Sequence, residues 1–402
     1  MKPDVNFNNF SMQWSEVKLK EVTSWYSGGT PPKSNPELWK NEIPWISAVS
    51  MRGRYYSTSE KNVSNSAIGK GTRLAKQGSL LLLVRGSMLF NKIPVGLVSN
   101  DLTFNQDVKN IVVQGELLNT FLLYWFQSKH HRLMSMVTGT GIGAGKLDTD
   151  ELKSLPFIYP AKEEQKKIAN FLSSVDKKID LLKEKHALLE QYKKGVMQKL
   201  LSQEIRFKDE SGNYFSDWQE KTLAQVLELQ VREIPKPNEK YLALGIKSHM
   251  KGTFQKPNFN PESIMMDKLF IVRPNDLIVN ITFAWEGAIA IAKNDDDGGL
   301  VSHRFPTYTF KEGESSHRYF KHIIMLKRFK YMLDLISPGG AGRNRVLSKK
   351  EFLKLKWNFP SIEEQLKIAD FLDVLDNKIE LVAEQIEQTQ TFKKGLLQQM
   401  FV

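Results

Sequence analysis

Two glycine-rich stretches with basic ends are the first places in this sequence where side-chain chemistry could reside. They are 138–146 and 337–345, and each ends in lysine or arginine. A phosphate-binding P-loop needs glycine at its first position and Ser or Thr after its lysine, but this chain has Thr140 and Leu147 there. A dinucleotide fingerprint follows a strand, whereas these stretches follow predicted helices. What remains is a flexible, glycine-rich segment that carries cations. Such a segment suits either contact with the phosphate backbone of a nucleic acid or a plain linker. Recurrence at the same place in both halves favours DNA contact.

No set of residues with catalytic spacing accompanies these loops. The sequence lacks the Asn/Asp-Pro-Pro-Tyr/Phe motif of amino-methyltransferases, His-Glu-x-x-His and Gly-x-Ser-x-Gly. It has seven histidines and no cysteine, which excludes disulfides, thiolate zinc sites and a cysteine nucleophile. We therefore expect a chain with no catalytic residue and no cofactor or metal site of its own.

Size and composition predict a folded protein of several domains. The chain has 402 residues, of which 41% are hydrophobic and 25% charged, and this length suits two to four domains. No apolar run approaches the roughly 20 residues of a membrane span, and the N-terminus lacks the apolar core of a signal peptide. We expect a cytoplasmic protein that makes no contact with membranes.

The positive charge is concentrated in two large segments. Residues 1–160 hold 18 Lys/Arg against 12 Asp/Glu, and residues 203–360 hold 25 against 19, so each carries +6. Residues 161–202 hold 10 against 6 (+4), and residues 361–402 hold 4 against 8 (−4). Two equally basic segments suit a polyanion. The opposite charges of the other two suit pairing with each other.

The elements that position these loops are duplicated at an offset of 200 residues. Glu163-Glu164-Gln165 recurs as Glu363-Glu364-Gln365, and 17 of the 39 positions from 163 to 201 are identical at that offset. A single repeat of this length is not a solenoid, which needs at least three short repeats. It indicates two similar halves in one polypeptide.

Each repeated segment has the apolar spacing of a coiled-coil helix. Neither contains proline, and each contains one glycine, Gly195 or Gly395, which indicates close backbone approach or a kink. His186 lies in the seam with no obvious acid opposite it in its own helix, as a polar residue that sets the register or as a pH switch. The seam residues are Ile168, Leu172, Val175, Ile179, Leu182, His186, Leu189, Val196 and Leu200, and Ile368, Leu372, Leu375, Ile379, Val382, Ile386, Thr389, Leu396 and Met400.

The segments before these helices predict mixed α/β heads. Short apolar runs bounded by Gly, Asn and Asp predict strands at 78–84, 95–98, 275–281 and 286–289, and aromatic-rich stretches predict helices at 117–137 and 319–336. The expected fold class is α+β, with two similar heads separated by two long helices that pair as an antiparallel coiled coil, related by a pseudo-twofold. The expected domains are 1–158, helix 159–203, 204–358 and helix 359–402.

The order of these motifs resembles one known family over essentially the whole chain. Trp14 and Leu19 open the first head, Ser27-Gly28-Gly29-Thr30-Pro31 follows, and Pro160 with Glu163-Glu164-Gln165 starts the helix. The helix start occurs twice, while the second head lacks the Gly-Gly-Thr-Pro turn. The sequence is similar to the DNA-specificity subunit of type I restriction–modification enzymes.

The resemblance implies a non-catalytic subunit with two target-recognition domains, each reading one half of a bipartite, asymmetric sequence in double-stranded DNA. It further implies that the paired helices set the separation of the heads and dock two modification subunits, which carry the S-adenosylmethionine chemistry. Restriction subunits would add the translocase and nuclease, with ATP and Mg²⁺. No cofactor is expected in this chain.

Candidate DNA-contacting residues are cations and an amide on the loops of both heads, since Arg and Asn make bidentate contacts with guanine and adenine. Candidate docking residues are apolar groups on the helices away from the seam. The DNA candidates are Arg52, Arg54, Arg85, Lys92 and Lys146, then Lys251, His303, Arg304, Arg343, Asn344 and Arg345. The docking candidates are Phe171, Leu181, Leu188, Phe371 and Leu381.

Two other functions remain open at this point. One is a coiled-coil scaffold that joins two partner-binding heads without nucleic acid. The other is a recognition half detached from a fused methyltransferase–nuclease, although such a fusion would need only one head.

Overall fold

A computed structural model describes residues 14–141, 143–339 and 345–401 of the chain. The fold divides into two compact units, residues 1–185 with 382–402 and residues 186–381. Each unit therefore contains one head, the first half of one long helix and the second half of the other. The predicted boundaries, which separate heads from helices, stay a prediction.

The first unit builds its head from short strands and three short helices. Its strands are β1 (Ser15–Lys18), β2 (Thr23–Ser27), β3 (Ile43–Ile46), β4 (Tyr55–Tyr56), β5 (Asn62–Val63), β6 (Arg73–Ala75), β7 (Leu80–Leu83), β8 (Arg85–Gly86), β9 (Val95–Val98), β10 (Leu102–Phe104), β11 (Val108–Val113), β12 (Thr138–Gly139), β13 (Gly145–Lys146) and β14 (Pro156–Tyr159). Its helices are α1 (Asn119–Ser128), α2 (His130–Ser135), α3 (Thr149–Ser154) and the first half of α4 (Lys162–Leu201).

The second unit repeats this arrangement. Its strands are β15 (Gln219–Thr222), β16 (Leu227–Gln230), β17 (Glu233–Pro235), β18 (Tyr241–Ile246), β19 (Thr253–Phe259), β20 (Lys268–Ile271), β21 (Leu277–Val279), β22 (Ile289–Ile291), β23 (Leu300–Val301), β24 (Thr307–Phe310) and β25 (Lys356–Phe359). Its helices are α5 (Leu223–Val226), α6 (His317–Ile323), α7 (Lys327–Leu335), α8 (Lys349–Lys354) and the first half of α9 (Ile362–Met400).

The two heads share the strand order of three sheets. The order β2-β11-β7-β9 in the first corresponds to β16-β24-β21-β22 in the second, and β5-β3-β10-β6 corresponds to β19-β18-β23-β20. In the latter pair, β3 with β10 and β18 with β23 are parallel. An antiparallel pair closes each head, β1 with β14 and β15 with β25. The predicted duplication therefore extends through the heads.

Within each unit the two long helices run antiparallel. In the first, Leu396, Met400 and Phe401 near the end of α9 share a core with Ile168 and Leu172 near the start of α4. In the second, Leu200 near the end of α4 shares a core with Ile368 and Leu372 near the start of α9. The predicted seam residues are all buried or half-buried, so the periodicity identified the packed face. The expected α+β class with antiparallel long helices is confirmed.

The glutamine of each repeated Glu-Glu-Gln motif fastens a helix to its head. Gln165 and Gln365 are completely buried. The Gln165 side chain donates to Pro160 O at 2.9 Å and accepts from Leu118 N at 2.9 Å. Gln365 donates to Pro360 O at 3.0 Å and accepts from Ser316 N at 3.2 Å. The amide satisfies backbone groups at both elements, which a carboxylate could not do because it only accepts.

Three local expectations differ from the structure. The helices predicted at 117–137 and 319–336 are each broken into two, α1 with α2 and α6 with α7. A Cβ at Gly195 or Gly395 would meet nothing within 4 Å, so close backbone approach does not explain these glycines. His186 has an acid in its own helix, because its Nδ1 lies 3.5 Å from Glu190 Oε2.

Candidate nucleic-acid interface

The first glycine-rich loop folds into a hairpin that adds to the end of a core strand. Strands β12 and β13 pair with each other, and β13 pairs with β8, which directly follows the buried strand β7. A Cβ at Gly145 would lie 2.9 Å from Leu89 Cβ and 3.0 Å from Val137 Cγ1, so this position requires glycine. The loop is therefore a fixed surface of the head rather than a linker.

This small sheet places two predicted DNA-contacting residues directly opposite each other. Lys146 on β13 is the cross-strand partner of Arg85 on β8, and both side chains are exposed. Like charges in directly opposite positions destabilise a strand pair. Neither cation forms an ion pair with any residue that the structure describes. An anion held between them would relieve the repulsion, and a DNA phosphate is such an anion.

The residues that follow each glycine-rich stretch are held at corresponding places in the two heads. Leu347 N donates to Ile281 O at 2.8 Å, as Leu147 N donates to Val84 O at 2.9 Å in the first head. Arg343 and Asn344 lie outside the described residues. Near this point Arg304 is exposed, and its Nη1 donates to Thr282 Oγ1 at 3.2 Å. The predicted pair His303 and Arg304 therefore lies beside the base of this loop.

Arg54 and Arg345 already have partners within their own units. Arg54 forms ion pairs with Asp176 and Asp180 of α4. Arg345 Nη2 lies 2.5 Å from Asp334 Oδ1, and its guanidinium stacks 5.0 Å from the centroid of the Trp285 ring. Each arginine would have to break these contacts to reach DNA. These contacts hold the two side chains within their own units, and DNA contact by either arginine stays a prediction.

The other predicted cations remain available. Arg52, Lys92 and Lys251 are exposed. Lys251 follows His249 and Met250, whose φ angles are 62° and 55°, so this turn is strained. Hydrogen bonds from His249 N to Glu286 O at 2.9 Å and from Met250 N to Gly287 O at 2.8 Å hold it in place.

Sequence reasoning missed a cluster of aromatic residues and a lysine on β19. Lys256 Nζ lies 5.5 Å from the Phe254 ring centroid and 5.8 Å from that of Phe259. Aromatic rings interleaved with cations are typical of nucleic-acid-binding surfaces. The spacing Phe254-x-Lys256-x-x-Phe259 could have indicated it.

The predicted docking residues separate into two groups. Leu181, Leu188 and Leu381 are more than half exposed, at 55%, 58% and 57%. Phe171 and Phe371 are half-buried and pack against the cores of their units, and Phe371 lies 5.6 Å from the ring of Phe207. Only the three leucines therefore present an open apolar surface. A docking role for any of the five stays a prediction.

The contact between head and long helix contains a buried histidine in the second unit and a tyrosine at the corresponding place in the first. In the first unit Tyr124 donates its hydroxyl to Asp176 at 2.9 Å. In the second unit His322 lies near the corresponding Asp376, with Nε2 at 3.6 Å from Asp373 Oδ1. Burial lowers the pKa of His322 from 6.5 to about 4, so it is neutral near pH 7.

The group His322, Asp373 and Asp376 has the residue types of a metal site, with ligand atoms within 4.8 Å of one another. Its carboxylates are already neutralised. Asp373 pairs with Arg318 and Lys321, and Asp376 pairs with Lys193. The arrangement is an ion-pair network between α6, α4 and α9 in the second unit, and a dication would have to displace these cations.

The fold and these surfaces define a duplicated α+β protein with two heads of one topology and different exposed loops. The family model for the type I restriction modification DNA specificity domain matches residues 12–191 and 215–390, and the chain belongs to that family. The family expected from the sequence is thus confirmed, as is the class of protein, a DNA-specificity component of type I restriction modification systems.

Relatives and solved structures agree with this assignment. The EcoR124I/EcoR124II specificity subunit of Escherichia coli is 29% identical over 43% of this chain, and the match spans only 43% of that subunit. The MjaVIII specificity subunit of Methanocaldococcus jannaschii is 24% identical, over 96% of this chain and 91% of the relative. The type I restriction-modification S subunit from M. genitalium has a similar fold, with a TM-score of 0.57, 18% identity, and coverage of 100% of this chain and 99% of that one.

Among the described residues, no helix is long and apolar enough to cross a membrane.

Proposed function

We propose that this chain reads a bipartite, asymmetric sequence in double-stranded DNA, with one half read by each head. The opposed cations Arg85 and Lys146 are the observation that carries the proposal, because two exposed cations on neighbouring strands, neither of them in an ion pair with a described residue, suit a phosphate. The second head presents Arg304 beside Thr282 near the corresponding loop. Since the heads share strand order but differ in these side chains, each should recognise a different half-site.

The same proposal assigns the catalytic steps to partner subunits. The chain docks two modification (methyltransferase) subunits, which bind S-adenosylmethionine, and works with restriction subunits that use ATP and Mg²⁺ in the cytoplasm. It contributes no catalytic, cofactor-binding or metal-binding residue. The exposed leucines Leu181, Leu188 and Leu381 support docking, because exposed apolar groups on helices favour a protein partner.

Methylation maps of a host genome with and without this gene provide the test and also identify the target. One bipartite sequence should lose methylation when the gene is deleted. The purified full chain should then bind a duplex carrying that sequence, with an affinity that falls steeply with salt because phosphate contacts release counterions.

Two results would contradict the proposal. Unchanged methylation after deletion of the gene would show that this chain does not direct DNA methylation. Failure to bind the mapped duplex at low salt, alone and with modification subunits, would favour a scaffold that joins partners without nucleic acid.

A further inference from the structure

A concave surface lined with aromatic rings lies in the second head. Its cavity has a volume of about 430 Å³, within the range of small-molecule sites. We call it the aromatic bowl, and its lining includes Tyr241, Phe254, Lys256, Phe259, Phe283 and Phe305. Strand β19 (Thr253–Phe259) forms one wall, whereas the corresponding strand of the first head, β5, is only Asn62–Val63. The bowl is thus a feature of the second head built on the shared strand order.

The rings of the bowl are accessible and lie close to a cation. Each of the five aromatic side chains is only partly buried. Phe254 packs closely against Gly245, because a Cβ there would fall 2.3 Å from its ring Cζ. Lys256 is exposed at the rim, 5.5 Å from the Phe254 ring centroid. Partly exposed rings beside a cation form the kind of platform on which unstacked bases stack, because every base has a π-face.

Polar groups in the bowl can also contact the edge of a base. Glu286 accepts a hydrogen bond from Ser248 Oγ at 2.7 Å through Oε2, and its carboxylate has further capacity to accept. A carboxylate accepts from the exocyclic amine of cytosine, and adenine carries such an amine too. The strained turn at His249 and Met250 is tied to Glu286 and Gly287 by backbone hydrogen bonds, so the carboxylate is held in position.

The charge around the bowl favours a nucleic acid over an apolar protein segment. Ser248 and Ser302 line the cavity, and the exposed Lys251, His303 and Arg304 follow them within three residues. The exposed Lys256 lines the cavity, and Lys251 and Arg304 follow lining residues along the chain, so cationic groups lie near it, as recognition of a polyanion requires.

We propose that the aromatic bowl receives one base unstacked from the half-site that the second head reads. This inference rests on the proposed DNA-reading function. The contacts of an extruded base would then determine one position of the half-site, while cations at the rim hold the flanking phosphates.

The test uses the full chain and duplexes carrying the target identified by methylation mapping. Each base pair of the second half-site is replaced in turn by mismatches that keep one of its two bases. Extruding a base costs unpairing and unstacking free energy, which a mismatch reduces. At one position, a mismatch that keeps the recognised base should therefore tighten binding by roughly tenfold.

Two bowl variants and one control complete the experiment. Phe254→Leu and Lys256→Gln should each bind the mismatched duplex no more tightly than the matched one. The control, Lys268→Gln, removes the charge of an exposed strand residue that pairs with Glu233 outside the bowl. It should keep the tighter binding of the mismatched duplex. Thermal unfolding establishes that all three variants are folded.

Two results would overturn the proposal. One is that the unaltered chain binds its target specifically but no mismatch tightens that binding. The other is that both Phe254→Leu and Lys256→Gln keep the tighter binding of the mismatched duplex. If the bowl variants bind DNA as the unaltered chain does but no longer associate with modification subunits, the bowl receives a protein instead. Absence of sequence-specific binding by the unaltered chain, both alone and with modification subunits, would contradict the proposed function itself.

Discussion

Lys393 of α9 reaches Asp176 of α4, with Nζ 2.7 Å from Oδ1, inside the first unit. The carboxylate is almost inaccessible, with a side chain 4% exposed, and also pairs with Arg54. Lys193 and Asp376, the same two positions of the repeat with the helices exchanged, pair inside the second unit. One ion pair therefore fastens the end of one long helix to the other helix in both units.

The two copies of this pair should differ in strength. Lys393→Met leaves Asp176 buried with fewer partners, and we expect it to lower the free energy of unfolding by about 2 kcal/mol. Lys193→Met should cost under about 1 kcal/mol, because the Asp376 side chain is 39% exposed. Calorimetric thermal unfolding measures both. Equal losses would contradict the difference in burial.

His322 should make stability depend on pH. Its pKa falls from 6.5 to about 4 through burial, so between these values the unfolded chain binds a proton that the folded chain does not. Stability contributed by neutral His322 is complete above pH 6.5 and is lost as the pH falls toward 4, by about 3 kcal/mol in total. Lys321, Lys193, Asp373 and Asp376 surround it.

His322→Tyr places in the second unit the residue type that the first has at Tyr124, and should flatten this dependence. Urea unfolding from pH 4 to 7 is the measurement. His303→Tyr changes an exposed histidine and is the control, which should follow the unaltered chain. A His322→Tyr profile identical to that of the unaltered chain would show that this residue does not titrate as described.

The opposed pair Arg85 and Lys146 should contribute to the salt dependence of DNA binding. If each contacts one phosphate, the double variant Arg85→Gln/Lys146→Gln reduces the slope of log K against log salt by about 1.8, since each phosphate contributes about 0.9. Lys76→Gln/Lys153→Gln removes two cations already paired with Asp101 and Asp150 and is the control. An unchanged slope in the first variant would exclude phosphate contact there.

Docking of modification subunits should depend on the exposed leucines. Leu181→Asp with Leu381→Asp should leave thermal unfolding unchanged within about 1 kcal/mol and abolish co-purification with modification subunits. Phe371→Asp should instead lower stability, because its ring packs on Phe207. Undiminished association of the leucine double variant would place the docking surface elsewhere.

The sequence predicted well whatever depends on periodicity or repetition. The helix seams followed from apolar spacing, and the similarity of the two heads followed from the repeated motifs. Contacts between distant positions could not be foreseen. Arg54 pairs with Asp180, which is 126 residues away, and the aromatic bowl combines Phe254 with Phe283 and Phe305 from separate strands and turns. Nothing in local patterning connects such residues before the chain folds.

The direct test of the central claim is a head exchange. Residues 204–358 are replaced by the corresponding segment of another family member, and the chimera is expressed with modification subunits. Genome-wide methylation mapping then compares the two targets. The account predicts that one half of the methylated sequence changes while the other is retained. A change in both halves, or in neither, would contradict the assignment of one half-site to each head.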